Sequence, residues 1–180
     1  MKVIGVTGLP GSGKSILFDT AEEKGALVVC MGDLVREKAA ERGEDSGTTA
    51  RKLREEFGQY IVAELTIERI KEILEKDKDA KIILVDGIRS PYEIELFKES
   101  FDNFISVSIY ASPQTRFERL VLRNREDDPE VYEDFLVRDN REIGFGIAEV
   151  VATADYMLNN ECSLEEFKQS VADFIEKEMD

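Results

Sequence analysis

The chain has 180 residues, of which 42% are hydrophobic, so it is long enough to form one compact domain with its own buried core. Its formal net charge of −15 argues against broad electrostatic binding to nucleic acid or to an anionic membrane, because both partners are negatively charged. The absence of histidine excludes a histidine general base and Ser-His or Cys-His nucleophilic sites. With two distant cysteines, no signal-peptide pattern and no long apolar run, the sequence predicts a cytoplasmic protein that does not span a membrane.

The first predicted strand is followed by a glycine-rich loop that matches the pattern G-x-x-x-x-G-K-[ST] at every fixed position. The loop residues are Gly8, Leu9, Pro10, Gly11, Ser12, Gly13, Lys14 and Ser15. Backbone N–H groups of such a loop point towards phosphates, Lys14 supplies positive charge, and the Ser15 hydroxyl is a candidate Mg²⁺ ligand. A plain glycine turn is the alternative, but the strand before the loop and the helix after it favour a triphosphate site.

The second predicted strand, Ala26 to Cys30, is a short apolar run typical of a strand buried on both faces. A charged helical segment begins after it, at Gly32-Asp33-Leu34-Val35-Arg36. Asp33 is either the N-cap of that helix or a carboxylate that contacts a ligand, because ligands bind at the carboxyl ends of parallel strands. Arg36, one turn further on, is correspondingly a surface residue or a ligand neighbour.

A helical insertion is predicted between the second and third strands. The polar segment from Glu41 to Thr49 indicates a mobile loop. A long helical segment follows as far as Lys76, with Thr49 as its predicted cap and Gly58 as a weak point. We expect this insertion to close over a second ligand.

The third predicted strand, Lys81 to Val85, leads directly into Asp86-Gly87. A carboxylate at this strand end can hold Mg²⁺ directly or through water, although Asp-Gly after a strand is also ordinary turn chemistry. The loop at 8–15 favours the metal interpretation. Arg89 follows from the same strand end.

Strands and helices continue to alternate along the rest of the chain, with predicted strands at 104–110 and 155–160. Ser112-Pro113 predicts one helix start, and Ser163 with Glu166 has the spacing of a capping box. This alternation predicts an α/β fold, with a five-stranded parallel sheet covered by helices on both faces.

The segment from Arg116 to Arg141 contains half of the twelve arginines of the protein, and no lysine occurs between Lys98 and Lys168. The six arginines are Arg116, Arg119, Arg123, Arg125, Arg138 and Arg141. Because arginine binds phosphate bidentately and keeps its charge when water is excluded, this segment favours a closing phosphate clamp. The alternative is a helix pair with carboxylate partners, for which Glu118, Asp127, Asp128 and Glu133 are available. Glu126-Asp127-Asp128-Pro129 is the predicted hinge or tip.

The order of these motifs resembles that of the nucleoside monophosphate kinases, adenylate kinase above all, over nearly the whole chain. The shared motifs are the loop at 8–15, Gly32-Asp33-x-x-Arg36, Asp86-Gly87-x-Arg89 and the arginine-rich segment. The resemblance implies a P-loop NTPase fold in which Arg36 and Arg89 hold the acceptor phosphate. It also implies contacts to the transferring and donor phosphates from Arg119, Arg123 and Arg125, with Arg138 as a looser match.

The C-terminal segment at 154–166 resembles the end of the dephospho-coenzyme A kinases. In that family the corresponding region lies against the donor adenine, which implies that Asn160 contributes to ATP binding. The combination is similar to an archaeal group of P-loop kinase-like proteins related to both families. The acceptor therefore stays open between a nucleotide phosphate and a ribose hydroxyl.

The leading hypothesis is an ATP- and Mg²⁺-dependent kinase that transfers the γ-phosphoryl group to a phosphorylated, nucleotide-type small molecule. The predicted single domain has a core at 1–32, 80–115 and 150–180, a helical acceptor-binding insertion at 33–79 and a lid at 116–149. Asp33 is the candidate base for a hydroxyl acceptor, and it only orients or caps if the acceptor is a phosphate. The alternative function is a nucleotide-dependent switch or assembly factor, with hydrolysis and no small-molecule acceptor.

Overall fold

The computed structural model describes residues 1–78, 80–125 and 128–179. Its strands are β1 (Lys2–Thr7), β2 (Leu27–Cys30), β3 (Ile82–Asp86), β4 (Phe104–Tyr110) and β5 (Tyr156–Asn159). The helices are α1 (Lys14–Glu23), α2 (Met31–Arg42), α3 (Ser46–Phe57), α4 (Ile61–Lys76), α5 (Pro91–Ser100), α6 (Pro113–Arg123), α7 (Tyr132–Gly144), α8 (Ile147–Ala152) and α9 (Leu164–Met179).

All strand pairs are parallel, and the sheet order is β2-β3-β1-β4-β5. The predicted five-stranded parallel α/β fold is therefore confirmed. Strand β1 lies at the centre, and Val6 near its end is in register with Asp86 at the end of β3. The glycine-rich loop and the residues that follow β3 consequently emerge side by side at one edge of the sheet, where ligands bind in such folds.

Two apolar cores cover the two faces of the sheet, as predicted. One contains Ile70 of α4, Phe97 of α5 and Val150 of α8. The other contains Leu17 of α1 and Val171 of α9. Helix α4 of the predicted insertion thus contributes to the first of these two cores, because its buried face packs against the sheet.

Three local predictions differ from the structure. Strand β2 is an edge strand with partly exposed residues, so the prediction of burial on both faces is wrong. The predicted loop at 41–49 is also wrong, because α2 continues to Arg42 and α3 begins at Ser46. Asp45, not Thr49, caps α3 by accepting from the Thr48 N–H at 2.9 Å. The weak point at Gly58 is confirmed as the break between α3 and α4.

The second half of the chain follows its predicted signals closely. Ser112 caps α6 with Pro113 in its first turn. At the start of α9 the Ser163 N–H donates to the Glu166 carboxylate and the Glu166 N–H donates to the Ser163 hydroxyl, as expected for a capping box. Helices α6 and α7 are separate, as predicted, although two residues of the predicted hinge, Glu126 and Asp127, lie outside the described residues. Within the described ranges, no helix combines the length and the apolar character needed to cross a membrane.

Candidate functional site

The loop between β1 and α1 has positive φ angles at its three glycines, two of which are fixed positions of the pattern. Gly8, Gly11 and Gly13 have φ angles of 149°, 84° and 99°. A Cβ atom on Gly13 would lie 2.2 Å from the Nδ2 atom of Asn160, and one on Gly11 would lie 2.7 Å from the carbonyl oxygen of Arg116. The glycines therefore allow both the left-handed conformation and the close approach of neighbouring groups.

Two side chains from elsewhere in the chain hold loop carbonyls. Arg116 donates from Nη1 to the Pro10 oxygen at 3.2 Å, and Asn160 donates from Nδ2 to the Ser12 oxygen at 2.7 Å. Arg119 donates from Nη2 to the Asn160 carbonyl at 2.9 Å. In a planar trans peptide the N–H points away from the carbonyl oxygen, so these contacts also orient the N–H groups of Gly11 and Gly13. Oriented N–H groups at a helix N-terminus form an anion-binding site.

Lys14 lies at the start of α1 and donates from Nζ to the Gly8 oxygen at 2.7 Å. Burial lowers the pKa of the Lys14 ammonium; the negative charge of Asp86 opposes this shift, and the positive charge of Arg89 adds to it. A phosphate beside Lys14 would raise that pKa again, because it would supply the opposite charge that the buried ammonium needs.

Asp86, the last residue of β3, has one carboxylate oxygen, Oδ1, buried without a hydrogen-bond partner. The Cys30 thiol lies 3.8 Å from the other oxygen, and burial together with the Asp86 charge raises the pKa of that thiol. An orphaned buried carboxylate oxygen beside a phosphate-binding loop fits a Mg²⁺ site. In the described ranges no cluster of three or more acidic or cysteine residues could hold a metal alone. A single carboxylate, that of Asp86, together with the phosphates of a bound ligand suits Mg²⁺, because Mg²⁺ is commonly held by one or two protein groups and substrate phosphates. Ser15 and Asp86 stay the predicted ligands, and the unpartnered Asp86 oxygen is compatible with that prediction.

Asp33 and Arg36 form an ion pair on the first turns of α2. Both side chains are 60% exposed, so they face open space at the carboxyl end of β2. The N-cap interpretation of Asp33 is wrong, because α2 begins at Met31 and Cys30 occupies the cap position. The exposed pair remains available to a ligand.

Arg89 is half-exposed and lies 3.4 Å from the buried carboxylate of Glu142 on α7, measured from Nη1 to Oε2. Glu142 also influences Lys14, since its negative charge raises the pKa of that ammonium. The structure thus brings Lys14, Asp86, Arg89 and Glu142 together. Sequence reasoning missed Glu142, because its spacing does not distinguish it from the many exposed acidic residues of this chain.

The arginine-rich segment has protein partners for several of its members. Arg116 is buried and pairs with Asp139, while Arg123 and Arg138 both contact Asp128. Arg125 is exposed, and its backbone N–H donates to Asp128 at 3.1 Å. Asp128 therefore has the partner role that the helix-pair alternative assigned to it; Asp127 lies outside the described residues.

Asp128 yields a prediction about stability and pH. Its hydrogen bond to Arg123 is the main cause that lowers the pKa of the carboxyl from 3.8 to about 2. A carboxylate with a depressed native pKa stabilises the fold above its unfolded value and loses that contribution as the pH falls towards the native value. We expect Asp128→Asn to lower the unfolding free energy by about 2 kcal/mol at neutral pH, and the difference to vanish as the pH approaches about 2.

Urea unfolding of both proteins at a series of pH values measures this difference. Glu130→Gln, an exposed carboxylate two residues away, is the matched control and should show no comparable dependence. A constant difference between wild type and Asp128→Asn from neutral pH down to pH 3 would contradict the ion-pair explanation.

The amino-acid sequence of the chain matches those of known proteins. The family described as AAA domain matches residues 7–135. The chain is 46% identical to a UPF0200 protein of Methanothermobacter thermautotrophicus over 98% of this chain and 90% of that protein. It is 43% identical to a UPF0200 protein of Thermococcus onnurineus, over 97% of each.

Solved structures share the fold at low sequence identity. TT1252 from Thermus thermophilus has a TM-score of 0.68 at 18% identity, covering 98% of this chain and 97% of that one. Shikimate kinase from Bacteroides thetaiotaomicron has a TM-score of 0.62 at 17% identity, covering 97% and 98%. The specific relation to nucleoside monophosphate or dephospho-coenzyme A kinases stays a prediction. The chain belongs to the UPF0200 family, and residues 7–135 belong to the family described as AAA domain, with a kinase-like P-loop fold.

Proposed function

We propose that the protein is an ATP-dependent phosphotransferase that moves the γ-phosphoryl group to a phosphorylated, nucleotide-type small molecule. The loop at 8–15 binds the donor phosphates, and Asn160 holds that loop in place. Arg36 and Arg89 bind the acceptor. Arg119, Arg123 and Arg125 neutralise charge that develops during transfer.

The observation that supports this proposal best is that the segments carrying Lys14 and Arg89 follow two neighbouring strands, β1 and β3, at the same edge of the sheet. The positive charge of Arg89 is close enough to lower the pKa of Lys14, so the two cations repel each other in this structure. Bound phosphate relieves that repulsion. A site for one triphosphate needs only the loop and its lysine, whereas a cation on the β3 side of Lys14 suits a second phosphorylated molecule.

Phosphoryl transfer requires positioning and charge neutralisation more than covalent help from the protein. Lys14 binds the outer donor phosphates, and Arg89 exchanges its contact with Glu142 for the acceptor. Ser15 and Asp86 would hold Mg²⁺, which supplies Lewis-acid neutralisation of the phosphate oxygens. Once both ligands are bound, we expect the helical segments around the site, α2–α3 on one side and α6–α7 on the other, to exclude water.

The role of Asp33 depends on the acceptor and yields a second prediction. For a phosphate acceptor no base is needed, and we expect Asp33→Asn to keep turnover within about threefold of wild type. For a ribose hydroxyl we expect a loss of about 10²-fold or more, because a general base contributes at least that much. Steady-state turnover of Asp33→Asn checks both cases, with Glu41→Gln on the same helix as control. A 10²-fold loss with a phosphate acceptor would contradict this assignment.

A nucleotide-dependent switch that hydrolyses ATP is the second candidate, because the loop at 8–15 with Lys14 would serve hydrolysis as well as transfer. The two functions differ in where the phosphoryl group goes.

Incubation with γ-labelled ATP, Mg²⁺ and a panel of nucleoside monophosphates and dephospho-coenzyme A tests the proposal. Label recovered on an added compound, and absent with Lys14→Met, supports the kinase. Slow release of labelled phosphate that no added compound changes would overturn the kinase proposal in favour of the switch.

A further inference from the structure

The largest fully buried side chain in the described part of the protein is an arginine, Arg116, with 2% of its surface exposed. Its guanidinium makes two hydrogen bonds to the Asp139 carboxylate, at 2.6 Å from Nη1 and 2.5 Å from Nη2. Asp139 is also buried and belongs to α7, so this pair joins α6 to α7.

The same guanidinium reaches two backbone carbonyls outside its own helix. Nε donates to the Ala111 oxygen after β4 at 3.1 Å, and Nη1 donates to the Pro10 oxygen of the glycine-rich loop at 3.2 Å. The Phe135 ring lies 5.0 Å from the guanidinium carbon. Arg116 therefore contacts the sheet edge, α7 and the loop at once.

Stability alone does not require a buried ion pair in this position. Desolvation of two charges costs several kcal/mol, and replacement of such a pair by apolar residues of similar volume is often neutral or stabilising. The pair instead fixes an orientation. The two hydrogen bonds to Asp139 hold the planar guanidinium of Arg116 in one position, so that one of its N–H groups points at the Pro10 oxygen.

The direction of the Pro10 oxygen matters because it also sets the direction of the Gly11 N–H, which belongs to the same planar peptide. When Arg116 holds that oxygen, the Gly11 N–H of the same planar trans peptide points the opposite way. The loop also packs closely at this point, since the α-carbon of Gly11 faces the Arg116 carbonyl. An N–H group aimed in advance binds phosphate without the cost of reorienting the loop.

We propose that the buried Arg116–Asp139 pair is a positioning device for the donor loop, acting through the Pro10 carbonyl. Arg116 therefore does not contact phosphate, although it belongs to the same arginine-rich segment. The proposal deepens the proposed function, but it rests only on nucleotide binding and does not depend on which acceptor is used.

Equilibrium binding of ATP to a double variant, Arg116→Met with Asp139→Leu, tests the proposal. This variant removes both charges together, so we expect an unfolding free energy close to that of wild type. Because the Pro10 carbonyl has lost its donor, we expect the Kd for ATP to rise about 10-fold or more. The matched control is Lys2→Met with Glu178→Leu, an ion pair at the opposite end of β1, which should leave the Kd unchanged.

A stable double variant with wild-type affinity for ATP would overturn the proposal. If the double variant does not fold, amide hydrogen exchange on Asp139→Asn decides the matter. With a non-hydrolysable ATP analogue bound, loss of protection at the Gly11 and Gly13 N–H groups with the rest of the chain unchanged supports positioning. Wild-type protection of these two groups, or a uniform increase in exchange over the whole chain, overturns it, since the latter is the result of a purely structural pair. Absence of any kinase activity in wild type, with these binding results intact, would refute the acceptor chemistry and leave the positioning role standing.

Discussion

Replacement of Arg89 by alanine is expected to lower kcat/KM for the acceptor by about 10²- to 10³-fold and to leave the Kd for ATP within about threefold. The structure places Arg89 after β3, beside Lys14 but outside the donor loop. A charge-assisted contact to phosphate in a water-excluded site is worth several kcal/mol in the transition state, which corresponds to that loss.

Arg51→Ala is the matched control for Arg89→Ala. Arg51 is an exposed arginine of α3 whose nearest carboxylate, Glu55, lies on the same helix. Steady-state kinetics at saturating ATP and equilibrium ATP binding should both match wild type in this variant. Equal loss of ATP affinity and acceptor use in Arg89→Ala would contradict separate donor and acceptor subsites.

Replacement of Lys14 by methionine is expected to reduce ATP-dependent turnover by about 10³-fold, because the only side-chain cation of the loop is lost. Methionine retains most of the aliphatic stem. Burial already lowers the pKa of the Lys14 ammonium, so its charge costs free energy in the ligand-free protein. We therefore expect the unfolding free energy of Lys14→Met to equal or exceed that of wild type.

Turnover, ATP binding and urea unfolding of the same Lys14→Met preparation measure these effects. Lys24→Met, which removes the partly exposed partner of Glu176 after α1, is the control. Because hydrolysis and transfer both need Lys14, this variant tests the donor site and not the choice between kinase and switch. Turnover near the wild-type value would show that the loop at 8–15 is not the donor site.

The parts of the site that sequence predicted are those encoded by neighbouring residues. The loop at 8–15 needs glycines, a lysine and a hydroxyl at fixed spacing after a strand, and Asp86 and Arg89 follow another strand directly. Parallel pairing of adjacent strands then brings the two segments to the same edge of the sheet. Local motifs together with one topological rule therefore predict where these segments lie in the fold; their roles stay predictions.

The parts that sequence did not predict depend on contacts between distant residues. Asp139 lies 23 positions after Arg116, and Asn160, predicted to contribute to ATP binding, reaches the Ser12 oxygen across 148 positions by a contact that the sequence did not predict. Neither spacing follows a helical or strand period, so only the packed structure separates the buried pair from exposed charges. The prediction of Thr49 as the cap of α3 is wrong for a different reason. Several residues near the start of that helix, Asp45 and Thr49 among them, have side chains that can cap a helix.

The lid illustrates how a charge pattern has two structural explanations. Six arginines in an acidic protein suggested a phosphate clamp, yet Arg116 holds the donor loop and Arg123 contacts Asp128. A cation that binds a carboxylate in the ligand-free protein can still exchange it for phosphate when it is exposed. Burial therefore separates the two classes: Arg116 is enclosed, whereas Arg123 and Arg125 remain accessible.

The central claim is that the loop at 8–15 and Arg89 bind two phosphorylated molecules at the same time. Titration calorimetry tests it with protein saturated by a non-hydrolysable ATP analogue, into which AMP or dephospho-coenzyme A is added. The account predicts that one of these compounds binds with one-to-one stoichiometry without displacing the analogue, and that Arg89→Ala abolishes this second binding. Displacement of the analogue by both compounds, or binding of neither, would contradict it.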